Sequence, residues 1–266
     1  MSTALITGAS QGLGLALTNA FAARGWNLVV DARDGTRLRE ATRTLPTVVA
    51  IAGDVTDPGH REALAAAAEV FGPLDLLVNN AAANFIARTD KLSARAVDAV
   101  LDIVLHGSFY CTIAAGRRWI EANRPGNVIS TVSTPTITGS AFTVPSAAAK
   151  AGVLAMTRSL AVEWGPKGIR LNCVAPGLFP TEGAWERLYP PGSQVEPQER
   201  GVPLRRFGNH QELCDLYAYL AADGSGYVTG DLIVIDGGRW MQGAGGPTFR
   251  AMQDWDDDQW NAMRKR

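Results

Sequence analysis

Ser146 and Lys150 open the question of chemistry in this chain. They stand four apart in VPSAAAKAGV (residues 144–153), so on a helix they share one face and can meet one site together. A serine hydroxyl is short and far less acidic than a phenol, so ordinary alcohol–ketone proton exchange through Ser146 is not expected. A second chemistry is written in TGASQGLG, Thr7 to Gly14. There Gly8 allows a tight turn, Gly12 lets backbone approach a pyrophosphate, and Gly14 permits close packing of a helix on a strand. The spacing is G-x3-G-x-G, which in isolation could be a plain turn. The three histidines, His60, His106 and His210, are scattered, and no Asp/Glu/His cluster has metal-ligand spacing, so no metal is expected.

The elements that must hold these residues alternate along the chain. Short apolar runs at 4–7, 27–32, 47–52, 74–79, 127–132, 169–175 and 232–236 read as strands buried on both faces. Between them lie helical patterns at Gly14–Arg24, Arg61–Phe71, Val97–Glu121, Ser146–Trp164 and Gln211–Ala222. Strands separated by helices predict right-handed βαβ units and an α/β doubly wound Rossmann fold. The even spacing predicts a single domain over 1–266, so that the glycine turn expected to bind a dinucleotide and the Ser146–Lys150 pair belong to one unit. Pro176 to Pro203 is rich in Pro and Gly, which marks a functional loop; a substrate loop is expected over 177–205. A tail follows at 243–266, in which Phe249, Met252, Trp255 and Met263 fall on one helical face, predicting a terminal helix docked on this chain or a neighbouring subunit.

Bulk properties narrow the setting. A length of 266 residues at 46% hydrophobic suffices for a sizeable core, and a net charge of −1 argues against nucleic acid or an anionic membrane as partner. The basic end MRKR is too short for a nucleic-acid patch. Cys111, Cys173 and Cys214 lie far apart and read as reduced, buried thiols of a cytoplasmic protein. The chain starts on an apolar strand without a basic leader, and no apolar run approaches the ~20 residues of a membrane span.

Five stretches together resemble the short-chain dehydrogenase/reductase family: TGASQGLG, GDV (53–55), NNAA (79–82), PGLFPT (176–181) and VTGDLIVIDGG (228–238). The resemblance covers nearly the whole chain up to Gly238. It implies a seven-stranded parallel sheet of order 3-2-1-4-5-6-7 with helices on both faces, a nicotinamide cofactor and a homo-oligomer, dimer or tetramer. It also implies a cofactor site made of Gly8, Ser10, Gly12, Leu13, Gly14, Arg33, Asp54, Val55, Asn80, Lys150, Pro176, Gly177 and Thr181. Asp54 would meet adenine, Asn80 the adenine-side ribose, and Thr181 the nicotinamide end; singly, Asp54 could instead cap a helix and Asn79 hold the sheet end together. By alignment with the family, Ala32 in VVDARD (29–34) takes the position of the acid that selects NAD, and Arg33 that of the phosphate-binding arginine. NADP(H) is expected, although Asp31 and Asp34 flank the position and a shift of one residue would restore an acid.

Ordinary family members carry a serine, then a tyrosine thirteen residues on, then a lysine four after that. Here Ser133 and Lys150 stand in place, and Ser146 replaces the tyrosine. One branch shares that serine. NNAAANF (79–85), DIVLHGSF (102–109), VPSAAAKAGVLAMTRSLAVEWG (144–165) and TEGAWERL (181–188) are similar to 2,4-dienoyl-CoA reductases, and Val104 sits where ordinary members have an asparagine. The branch implies hydride attack on the δ-carbon of a dienoyl thioester of CoA, with donors stabilising the dienolate until the α-carbon is protonated by water. Asn84, Ser146, Lys150 and Ser133 are then the catalytic candidates. The branch's own tyrosine, fifteen residues before the lysine, is replaced by Pro135, which has no donor. Ser133, Thr134, Thr136 or Tyr189 are candidate substitutes. Two alternatives stay open: an oxidoreductase of the same fold acting on another conjugated carbonyl or ketone, and a cofactor-binding protein whose catalysis is impaired.

Overall fold

A seven-stranded parallel sheet forms the centre of the molecule, in the order β3-β2-β1-β4-β5-β6-β7. The computed structural model describes residues 1–181, 198–241 and 252–264. The strands are β1 (Thr3–Ile6), β2 (Asn27–Ala32), β3 (Val48–Ala52), β4 (Leu76–Asn79), β5 (Gly126–Thr131), β6 (Ile169–Pro176) and β7 (Leu232–Ile235). The four residues of β1, for example, pair with β2 from Thr3–Asn27 to Ile6–Val30 and with β4 from Ala4–Leu76 to Ile6–Val78. The change of winding direction at β1 and β4 opens a crevice at their carboxyl ends, where open α/β sheets take ligands.

Helices α1 (Gly12–Ala23), α2 (Gly35–Thr42), α3 (Pro58–Ala68), α4 (Ala94–Leu101), α5 (Gly107–Glu121), α6 (Pro135–Thr138), α7 (Val144–Trp164) and α8 (His210–Ala221) follow the strands, and α9 (Asp257–Arg264) closes the chain. One core layer joins Ile6, Leu17, Phe21 and Val30 to Leu213, Tyr217 and Leu220 of α8. The other joins Leu5, Val29, Leu77 and Val128 to Cys111, Ala115, Trp119 and Trp164. All three cysteines are buried free thiols.

Three sequence expectations change. β3 and β7, the sheet's edges, are only half-buried, because an edge strand lacks a second neighbour to cover it. The segment Val97–Glu121 is not one helix but α4 and α5 joined by a π-helical turn over Asp102–His106. Together, Ala94–Glu121 is long and apolar enough to cross a membrane by length and composition. Yet its inner face lies in the core, with the Trp119 indole donating to Leu74 O at 2.6 Å, which is how the core helix of a globular domain reads. In the tail, Met252 and Trp255 precede α9 rather than sharing its face; Trp255 meets Trp260 edge-on at 5.1 Å, and Asp254 pairs with Arg205 at 2.7 Å. Phe249 lies outside the described residues.

Candidate active site

The glycine turn is fixed by the ends of three strands. Gly8 adopts φ +69°, and a Cβ there would come within 2.8 Å of Ala81 Cα, so a side chain is excluded twice over. Thr7 Oγ donates to Val78 O and accepts from the amides of Asn80 and Ala81, both at 3.0 Å, which ties β1 to the end of β4. Asn80 Nδ2 donates to Thr7 O at 3.1 Å and Gly8 O at 3.2 Å. The Asn80 side chain therefore braces the turn. Asn79 Nδ2 donates to Thr112 Oγ and Ser130 Oγ, joining β4, α5 and β5 as the alternative reading had it.

A cleft of about 530 Å³ runs along the strand ends, and every residue assigned above to the cofactor lines it, from Gly8 to Thr181. That volume is in the range of small-molecule sites. Its lining is suited to a nicotinamide dinucleotide: a glycine turn opening α1 for the pyrophosphate, arginines at one end and an amine at the other. Asp54 Oδ1 accepts from Thr56 N at 2.9 Å, shaping the turn before α3; the helix cap itself is Asp57.

The two acids beside Ala32 are both occupied. Asp31 is buried, accepting from Gly8 N at 2.9 Å through Oδ1 and meeting His60 Nε2 at 3.0 Å through Oδ2. Asp34 caps α2, accepting from the amides of Thr36 and Arg37. Arg33 and Arg37 are exposed, line the cleft, and pair with no carboxylate among the described residues. Arg37 was missed from sequence; its signal was the four-residue step from Arg33, legible only once α2 is recognised behind its Asp34 cap.

At the other end, Lys150 Nζ donates to Val132 O at 3.3 Å, beside Ser133 on the cleft wall. Burial without a carboxylate partner brings the Lys150 ammonium down from 10.5 to about 8. Ser146 is buried one turn earlier on α7, and its hydroxyl makes no hydrogen bond among the described residues. Asn84 is exposed in the loop after β4, and neither it nor Ser146 lines the cleft. Pro135 opens the single turn α6, whose entry is set by Thr136 N donating to Ser133 O at 2.9 Å. No tyrosine lines the cleft among the described residues, and Tyr189 lies outside them. His106 meets Asp102 at 2.8 Å on the surface, and His210 begins α8; neither lines the cleft, and no metal-binding cluster occurs among the described residues.

The family model described as enoyl-(acyl carrier protein) reductase matches residues 8–239. The chain belongs to the short-chain dehydrogenase/reductase family. A probable 2,4-dienoyl-CoA reductase [(2E)-enoyl-CoA-producing] of Bacillus subtilis is 40% identical over 243 residues, covering 89% of this chain and 96% of that protein. A peroxisomal 2,4-dienoyl-CoA reductase [(3E)-enoyl-CoA-producing] of Danio rerio is 34% identical over 91% of this chain and 82% of its own. Among solved structures, an actinorhodin polyketide ketoreductase with NADPH superposes with a TM-score of 0.84 at 29% identity, covering 90% of this chain and 97% of that one. The fold, the strand order and the oxidoreductase family thus agree with the reading made from the motifs.

Proposed function

We propose that this oxidoreductase is an NADPH-dependent reductase of a conjugated enoyl or 2,4-dienoyl thioester. The observation that carries the reading is the donor set. Lys150 and Ser133 line the nicotinamide end of the cleft, and no tyrosine does among the described residues. A ketone needs an acid to protonate its oxygen during hydride attack. A dienoyl thioester needs only donors aimed at the thioester oxygen, because charge runs down the conjugated chain and the carbon proton arrives later. When bound, the cofactor supplies the hydride, to the δ-carbon. Lys150, held by Val132 O, would donate to the nicotinamide ribose and place positive charge beside the oxyanion. Asn84 and Ser146 belong to the substrate side of this reading: Asn84, exposed in the loop after β4, would donate its amide N–H to the thioester oxygen, and Ser146 stands one turn before Lys150 on α7. Protonation of the α-carbon by water then leaves a 3-enoyl thioester, whereas protonation at the γ-carbon would leave a 2-enoyl thioester; the relatives named above differ in the product their names give.

NADPH, rather than NADH, is supported by Arg33 and Arg37 lining the adenine end while Asp31 and Asp34 are engaged elsewhere. Coenzyme A is favoured as the carrier because the dienoyl reductases among the relatives are named for it. NADPH oxidation by the purified chain against 2,4-dienoyl-CoA, 2-enoyl-CoA, the matching acyl-carrier-protein thioesters and simple ketones tests the reading. Fast turnover is expected only with conjugated thioesters, with chromatography of the product assigning the double bond. A preference for ketones overturns it.

A further inference from the structure

The Asp31–His60 pair lies outside the catalytic argument. Asp31 is the next-to-last residue of β2, one residue before Ala32 at the cofactor-discriminating position, and it forms part of the cleft wall. Its carboxylate is nevertheless turned inward. Oδ1 takes the Gly8 amide, Oδ2 takes the His60 ring, and its backbone oxygen takes Ala9 N at 2.8 Å. His60 reaches it from the first turn of α3 and is itself buried. The ring passes so close to Gly53 that a Cβ there would collide with it, so the glycine before Asp54 makes room for this contact.

We propose that His60 determines cofactor specificity: by holding the Asp31 carboxylate inside the protein, it keeps an acid at the end of β2 from opposing a 2′-phosphate on Arg33 and Arg37. The pairing matters because a buried carboxylate left with one partner is poorly satisfied. Without His60, Asp31 has one free oxygen beside the cleft. It can then accept from the adenosine 2′-hydroxyl, which NADH has free and NADPH carries as a phosphate ester, and a carboxylate turned toward the cleft opposes that phosphate. His60 is thus a positioning residue acting through Asp31. The inference rests on the NADPH reading above.

The test is equilibrium binding of NADPH and of NADH to the purified full-length chain, by calorimetry or by quenching of tryptophan fluorescence, with circular dichroism and melting as controls of folding. His60→Leu is expected to lower the NADPH:NADH affinity ratio about 10-fold, the loss falling mainly on NADPH. His60→Ala, which leaves room for water, serves if the leucine variant does not fold. In an Asp31→Asn background the same histidine change should leave the ratio unaltered, since the charge it controls is gone. Equal weakening of both cofactors would overturn the inference, reducing the pair to a brace of the glycine turn. A wild-type preference for NADH would sink the cofactor reading instead. The effect of His60 on the ratio would still decide the inference by itself.

Discussion

In the proposed mechanism cofactor and reaction meet at Lys150, and its titration gives a prediction with two opposite signs. Burial lowers its pKa from 10.5 to about 8, so above pH 8 the free enzyme loses the cation that the proposed mechanism sets beside the oxyanion. kcat/KM should therefore fall as pH rises through about 8. Stability runs the other way. Between pH 8 and 10.5 the unfolded chain holds a proton at this lysine that the native chain has released, so this group makes the fold more stable across that window. Activity that falls while Tm holds or rises identifies the titration; a parallel fall of both would show unfolding. Lys150→Ala is expected to lower cofactor affinity and turnover together, and Asn84→Ala turnover mainly, as steady-state kinetics with separate cofactor titrations would read. Pro135 makes a converse test. It stands at the first position of α6, where a helix asks least of the backbone N–H, so tyrosine can replace it without breaking a ladder bond. Pro135→Tyr should raise dienoyl-CoA reduction about 10-fold or more, on the scale of one restored oxyanion donor. No gain in an enzyme already fast on that substrate would mean that another group has the donor role.

Among the elements, the β2–α2 corner carries the next prediction, because it presents Arg33 and Arg37 with the neighbouring acids Asp31 and Asp34 engaged. Arg33→Ala should weaken NADPH by about 10-fold or more, on the scale of a lost charge-assisted contact, and leave NADH nearly unchanged. Equal losses in binding titrations would show that Arg33 does not read the phosphate. The same corner shows how far sequence reading reached. β2 was legible to the residue, since the apolar LVV at its centre is set between the turn at Gly25 and the charged Arg33-Asp34, and α7 was placed within two residues by its length and small-residue content. α2 was not, because GTRLREAT is mostly polar and buries only Leu38 and Thr42; its start is set by the Asp34 cap, a local contact rather than a hydrophobic period. The direction of Asp31 was equally hidden. It depends on His60, 29 residues away in sequence and brought in by the packing of α3 on β2. The π turn at Asp102–His106 left no periodic signature either, since one inserted residue looks the same in an apolar run.

For the whole molecule, the question is what covers the outer faces of α5 and α7. Phe109 and Tyr110 on α5 are 38% and 46% exposed, and Val162 on α7 is 80% exposed. On α7 the exposed positions Ala148, Ala151, Ala155 and Ser159 join Val162 in a strip of small residues, where a second helix can approach closely. This strip lies opposite the face that packs on β6 through Val153, Leu154 and Met156. A surface of small and apolar side chains on two adjacent helices suits an isologous contact, in which each copy lays the same patch on its neighbour. We therefore expect a dimer or tetramer built on these two helices. Ala155→Arg places a long cation in the middle of the strip, facing its own copy across the two-fold axis, where neither charge finds a partner. That variant should run as a smaller species by light scattering at micromolar concentration, with far-ultraviolet circular dichroism unchanged. A wild-type chain that is already monomeric under those conditions would refute the assembly. An oligomer indifferent to Ala155→Arg would move the interface to another face.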